Sequence, residues 1–344
     1  MTEKIPSYDI PLSVLSIKDR KILKELFDHA RTPFSLIAKR VGLSKEVVHY
    51  RVKKLMERGI LLRFNTVIGV PQLGWQMYFI NIRLRNVDNT VEEEIINAMT
   101  HHPNIAQVLK CIGSYDLILK VFVKDYIEAN KVMKDLERKF KNHIGEYILN
   151  LIEQELPLPL SFLYEPFKIK EYAEIPRRDT GKKDTEHFPV SSIDLHLLQA
   201  LSHDARLPTT EIAKKMNISR ELVRHHLKKL EKNKIIVKYR PSAWSGSKAI
   251  GYTWYWVMLK LNETSKSAHK KLEYYIINHP HMTYYYKSIG QQDVQFEIRL
   301  KTSDELNQVL MEIRTILKDE LKSHELSIIL KEFKYTYFPD CLMQ

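Results

Sequence analysis

At 344 residues, 44% of them hydrophobic and 28% charged, the chain has the composition of a packed globular protein and the length of roughly two to four domains. Its formal net charge of +12 points to a polyanionic partner such as nucleic acid, and its two cysteines, Cys111 and Cys341, lie too far apart for a disulfide scaffold or a cysteine-ligated zinc site. No apolar run approaches the ~20 residues that cross a bilayer, and the N-terminus lacks a signal-peptide core, so a soluble, cytoplasmic protein without membrane contact is expected.

Residues 1–14, with Pro6 and Pro11, read as an N-terminal arm. Ser16 is placed to cap a helix that carries Asp19 in its first turn and Ile22, Leu23 and Leu26 on its apolar stripe. After Ala30-Arg31-Thr32-Pro33, the stretch from Leu36 to Ile60 predicts helix, tight turn, helix. Ile37, Ala38 and Val41 face inward, Gly42 takes the turn, and Ser44 caps the second helix. Val48, Val52 and Leu55 bury that helix, which leaves Lys45, Glu46, His49, Tyr50 and Lys53 as candidate DNA contacts, with Glu46 also suited to the helix's positive end. Ile60 to Phe64 reads as a short strand, the wing of a winged helix-turn-helix over 15–66.

From Trp75 the periodicity changes. Strand, helix, strand, strand, helix, strand follow over 67–156, the βαββαβ order of a ferredoxin-like domain, with a last strand from Ile144 to Ile152. A proline- and charge-rich stretch at 157–190 lacks periodicity and reads as a linker.

The pattern then repeats. Ser219 answers Ser44 (219 − 44 = 175), Ala205-Arg206-Leu207-Pro208 answers the first Ala-Arg-x-Pro, and Asn217, which also tolerates a left-handed turn, replaces Gly42. Arg220, Arg224, His225 and Lys228 lie on the outer face of this second recognition helix, in a unit over 191–241. A second ferredoxin-like unit covers 242–340, its strand from Leu326 to Tyr335 matching the first unit's last, and Gly290 answers Gly113 (290 − 113 = 177). The two extra residues of spacing fall between the second unit's domains, near Ser245-Gly246-Ser247. The fold class is therefore α+β, a tandem duplication of a winged helix-turn-helix followed by a ferredoxin-like domain. Aromatic runs at Tyr252 to Trp256 and Tyr284 to Tyr286 are expected to pack one sheet against its partner. The fourteen histidines form no metal-ligand spacing, and no nucleophilic triad or phosphate-binding glycine loop occurs, so no metal, cofactor or catalytic residue is expected.

The chain resembles two copies of an Lrp/AsnC-type (feast/famine) transcriptional regulator joined end to end. The resemblance rests on Asp19, Ile22 and Leu23, on Ala-Arg-x-Pro, on the Gly-Leu-Ser turn at 42–44, on Arg51 to Leu55, and on the Gly-x-Tyr-Asp loop at 113–116. It implies a winged helix-turn-helix followed by a ligand-sensing (RAM-type) domain through which protomers pair. It also implies an amino-acid or other small-molecule effector near Gly113, Tyr115 and Asp116 and their counterparts Gly290 and Asp293, residues that read equally well as plain turn geometry. The second copy departs from the pattern at Asn217, at His226 in place of Arg51, and at Gln292 in place of the loop tyrosine. The expected function is a sequence-specific DNA-binding regulator whose halves pair within one chain or across a homo-oligomer, reading an asymmetric operator in double-stranded DNA. The rival readings are a siroheme decarboxylase, an enzyme class resembling the same fused unit, and an architectural DNA-binding protein.

Overall fold

A computed structural model of the chain describes residues 15–164, 178–179, 188–242, 251–262 and 266–343. The N-terminal arm, most of the linker and the expected insertion at Ser245-Gly246-Ser247 lie outside the described residues.

Each copy opens with three helices: α1 (Ile17–Asp28), α2 (Phe34–Val41) and α3 (Lys45–Glu57) in the first, α6 (Ser192–His203), α7 (Thr209–Met216) and α8 (Arg220–Lys232) in the second. Ser16 and Asp19 form a reciprocal capping box, as do Ser191 and Asp194, so both leading helices start where the sequence places a serine. Gly42 and Asn217 end α2 and α7 at φ of +66° and +53°, the left-handed turn that swings the next helix across the first. The expected wing is different. β1 (Arg63–Ile68) and β7 (Ile236–Ser242) pair antiparallel with each other, Thr66 opposite Tyr239, so each short strand finds its edge partner in the other copy. Among the described residues each helical unit carries one such strand, and a lone strand satisfies its backbone groups only by borrowing another.

The remaining strands are β2 (Gln76–Leu84), β3 (Ile105–Gly113), β4 (Leu117–Val123) and β5 (Ile144–Pro157), the two-residue β6 (Arg178–Asp179), and then β8 (Thr253–Leu261), β9 (Met282–Ile289), β10 (Val294–Leu300) and β11 (Leu321–Tyr335). They run in the order β2-β4-β3-β11-β8-β10-β9-β5-β6, and β5 also pairs with β2. Eight strands thus close into a barrel, four from each copy. β5 and β11 are longer than the sequence suggests: the extra residues of β5 pair with the other copy's β9, whereas those of β11, from Leu321 to Glu325, pair with β8 of its own copy.

Alternation along the strands separates the barrel's two faces. Tyr78, Ile80 and Ile82 point outward beneath α4 (Asn89–His101) and α5 (Tyr126–Lys139). Val257, Leu259 and Phe296 do the same beneath α9 (Lys266–Asn278) and α10 (Ser303–Leu317). Inside, Phe79 meets Trp256 and Tyr286 edge-on at 4.9 and 4.8 Å, and Trp256 stacks on Tyr286. The aromatic runs therefore split: Trp256 and Tyr286 fill the barrel, while Tyr255 and Tyr285 pack under the second copy's helices. Among the described residues no helix is long and apolar enough to cross a membrane, and no group of acidic, histidine or cysteine side chains is placed to hold a metal.

Candidate nucleic-acid interface

α3 and α8 present the residues that the sequence puts on their outer faces. Val48, Val52 and Leu55 are buried beneath α3, and Val223, Leu227 and Leu230 beneath α8. Lys45, Glu46, His49, Tyr50 and Lys53 are exposed on the first helix, and Arg220, Arg224, His225 and Lys228 on the second. Ser44 accepts the Val47 N–H at 3.2 Å and Ser219 the Leu222 N–H at 3.1 Å, which fixes where each helix begins. The Glu46 carboxyl is held below the usual range by its own backbone N–H and by Ser44, so it serves the helix N-terminus rather than adding a cation to the surface. His49 rests edge-on against Phe34, and Lys54 reaches the Tyr50 ring at 5.8 Å.

A buried acid clamps α1 to α3 and α6 to α8. Arg51 Nη1 lies 2.9 Å from Asp19 Oδ1, and His226 Nδ1 lies 2.6 Å from Asp194 Oδ1, with Lys229 at 3.3 Å. Burial alone would raise the Asp194 carboxyl, but hydrogen bonds from Ser191, His226 and Lys229 outweigh it and hold the group low. His226 is thus a substitution that keeps the contact.

The two helical units are locked to each other by residues that read from sequence as part of a connection. Arg31 Nη1 donates to the Ala205 carbonyl at 2.7 Å, and Arg206 Nη1 donates to the Ala30 carbonyl and, at 3.1 Å, to that of Thr32. Each guanidinium also lies over an aromatic ring of its neighbourhood, Arg31 over Tyr239 at 5.1 Å and Arg206 over Phe34 at 4.1 Å. With the β1–β7 pairing, this reciprocal pair sets the spacing and angle of the recognition helices. The recurrence of Arg within both Ala-Arg-x-Pro segments was the available signal. Arg31 further joins Arg224, Lys228, Glu231 and Tyr239 around a cleft of about 320 Å³ beside α8.

The loop residues gather at the barrel end farthest from these helices. Asp116 accepts the Leu84 N–H at 2.7 Å, and Asp293 accepts the Leu261 N–H at 2.8 Å and Lys260 Nζ at 3.0 Å, each tying a hairpin turn to a neighbouring strand. Gly113, at φ +121°, lies so close to the second copy that a Cβ would collide with the Leu326 carbonyl. A Cβ on Gly290, at φ +149°, would lie 2.6 Å from Asn150 Oδ1. Barrel closure therefore requires both glycines. Tyr115 is buried, its ring under Arg83 and its hydroxyl 3.4 Å from Gln292 Nε2, the residue that replaces it in copy two. Beside this turn, Lys260, Gln292, Lys322, Ser323 and Glu325 line a hollow of about 240 Å³.

Residues 15–61 and 191–237 match the winged helix-turn-helix DNA-binding domain family. The chain is 29% identical over 116 residues to the HTH-type transcriptional regulator FL11 of Pyrococcus horikoshii, a match covering 33% of this chain and 75% of that protein. It is 30% identical over 116 residues to the regulatory protein AsnC of Haemophilus influenzae, covering 33% of this chain and 76% of AsnC. Among solved structures, the siroheme decarboxylase NirDL has a similar fold across both copies, with a TM-score of 0.62, 16% identity and 93% of each chain covered.

Proposed function

The chain belongs to the Lrp/AsnC family, and on that footing we propose that it is a sequence-specific DNA-binding transcriptional regulator that carries both halves of a regulator pair in one polypeptide and is not an enzyme. The observation that carries this reading is the reciprocal Arg31–Ala205 and Arg206–Ala30 lock, which holds two exposed recognition helices in one fixed relation. Lys45, His49, Tyr50 and Lys53 meet one half-site. Arg220, Arg224, His225 and Lys228 meet the other, about one helical turn (~34 Å) or a multiple of it away. Because the two faces carry different side chains, the operator is asymmetric. Arginines at 220 and 224 suit bidentate contact with guanine, and the surrounding lysines suit phosphates. Glu46 contributes through the cap. At the far end of the barrel, the hollow beside Gly290 and Asp293 is of a size for an amino-acid effector, with Lys260 and Lys322 for a carboxylate and Glu325 for an ammonium group.

Selection of random duplexes at near-physiological salt against excess non-specific DNA tests this. An enriched bipartite, non-palindromic motif is expected, with affinity falling steeply as salt rises. Enrichment of perfect palindromes alone would overturn the single-chain version, and retention without enrichment would point to an architectural role. The fold likeness to NirDL over both copies favours one second reading, a decarboxylase of siroheme. Against it, Phe79, Trp256 and Tyr286 occupy the barrel interior. Incubation with siroheme should leave no porphyrin absorbance on the protein after gel filtration; retained absorbance together with failed DNA selection would put the enzyme first.

A further inference from the structure

At the barrel end nearest the helical units, a partly open space of about 50 Å³ lies between the strands and β7. Arg240, Pro241 and Ser242 of β7 form its outer wall, and Arg299, Glu297 and Thr283 lie on its inner side. Among mostly apolar lining, two arginines and two glutamates, Arg240, Arg299, Glu297 and Glu332, are buried. Arg240 is 7% exposed, Glu297 2% and Arg299 3%. Arg240 is satisfied by the Tyr284 hydroxyl and the Leu158 carbonyl, both at 3.3 Å. Arg299 is not: Nη2 reaches Glu297 Oε2 at 3.5 Å, the ring of Trp254 lies 3.8 Å from the guanidinium carbon, and Nη1 is buried with no hydrogen-bond partner. Burial lowers the Arg299 guanidinium to about 10, so it stays charged at neutral pH.

The duplication supplies an internal control for whether the fold needs these groups. At the equivalent positions of the first copy, Phe122 stands for Arg299, Ala106 for Thr283 and Met77 for Trp254. By strand register, Pro157 opposite Tyr284 stands where Tyr335 faces Gln107. The first copy keeps buried charge on this wall as well, with Lys120 at the position of Glu297 and paired to Glu155 at 2.6 Å; what the second copy adds is a cation with one donor left unbonded. A buried charge costs stability unless something pairs with it, and an apolar replacement is often neutral or better. Arg299 is thus in excess of what closure requires, since Phe122 fills the equivalent position. An eight-stranded barrel has an interior just wide enough to be filled by side chains or to hold one small ligand.

We infer that this space is a binding site for one small planar monoanion per chain, a carboxylate or oxyanion that completes the hydrogen bonding of Arg299 Nη1. A water occupies roughly 10–15 Å³ of such space, so the guest has about three or four non-hydrogen atoms, the size of formate, acetate or nitrate. The inference does not rest on DNA binding and is tested without DNA.

Isothermal titration of the full chain with sodium formate, acetate and nitrate, at constant ionic strength held with sodium sulfate, reads the site directly. The expected result is saturable binding of at least one of the three at one per chain, with no binding of benzoate, which is too large. Formate and acetate against nitrate separate a carboxylate site from an oxyanion site. Arg299→Met should weaken binding at least tenfold, and Arg299→Lys, which keeps a charge but lacks the Nη1 donor, should do the same if the methionine variant fails to fold. Phe122→Leu, at the equivalent position of the first copy, should leave the affinity within twofold. Absence of binding by all three anions, two sites per chain, or undiminished binding by a folded Arg299 variant would overturn the inference.

Discussion

Glu332→Gln should flatten a pH dependence that the barrel builds into its own stability. Glu332 is 7% exposed and accepts a hydrogen bond from Gln107 Nε2 at 2.6 Å. Burial, reinforced by the neighbouring Glu297, raises its carboxyl from 4.5 to about 8, against the pull of Gln107, Arg63 and Arg299. A raised carboxyl means that the folded chain keeps a proton which the unfolded chain releases. The associated stability is therefore complete below pH 4.5, drains as pH rises, and is gone above about 8. The interval from 4.5 to about 8 is some three and a half units. At ~1.36 kcal/mol per unit this amounts to roughly 5 kcal/mol. For 344 residues unfolding as one unit, with an unfolding entropy of ~2.1 cal/mol/K per residue, that is about 7 °C in Tm. Melting curves by circular dichroism from pH 4.5 to 8.5, at fixed ionic strength, should show the wild type losing about 7 °C more than the variant across the interval. Glutamine keeps the contact with Gln107 but has no proton to lose. Glu297, also raised by burial, contributes a slope common to both proteins. Parallel curves for the two proteins would refute the reasoning.

Lys120→Met alone should cost about 3–5 kcal/mol in urea denaturation, because it breaks a buried ion pair by removing the cation that lies 2.6 Å from Glu155. Adding Glu155→Leu should restore most of that loss; a double variant as weak as the single one would count against the account. Gly113→Ala should destabilise by at least about 2 kcal/mol, combining an unfavourable φ with the collision at Leu326. Gly59→Ala, at φ +67° with open space around it, should cost only about 1 kcal/mol, and equal losses at the two glycines would show that barrel closure adds nothing. Arg224→Ala should reduce operator affinity roughly tenfold and relax sequence preference in one half-site only, as read by repeating the duplex selection. Relaxation in both halves would mean that the two recognition helices are not assigned separately.

Local chemistry was legible in the sequence, and pairing between distant segments was not. Ser16, Ser44 and Ser219 cap the helices they precede, and Gly42 and Asn217 turn the chain left-handed. These interactions span a few residues, so type and spacing suffice. Barrel closure joins β3 to β11 and β5 to β9 across more than a hundred residues, and no local period records which edges meet. The interior was hidden for a related reason. Asn81, Lys120 and Glu297 alternate with apolar neighbours as residues on a solvated face do, yet all three point into the barrel and are buried. Arg31 and Arg206 were visible as a repeated pair, but their acceptors are backbone carbonyls of the other copy, which carry no sequence signature. Opposite Asp194 the partner's identity changed while the contact survived, since the imidazole of His226 reaches Asp194 as the guanidinium of Arg51 reaches Asp19.

The closure of one barrel by strands from both halves of a single polypeptide also changes how binding scales with abundance. Two separate chains that must first meet fall apart on dilution, and their joint occupancy of a target drops with the square of their concentration. Tethered halves face each other at an effective concentration of about millimolar or more, whatever the bulk concentration. Occupancy then follows the first power of protein number, so a few molecules per cell act as a few complete readers. Each half is also free to drift in what it recognises without spoiling a symmetric partner, because the half it faces across the barrel has a different sequence.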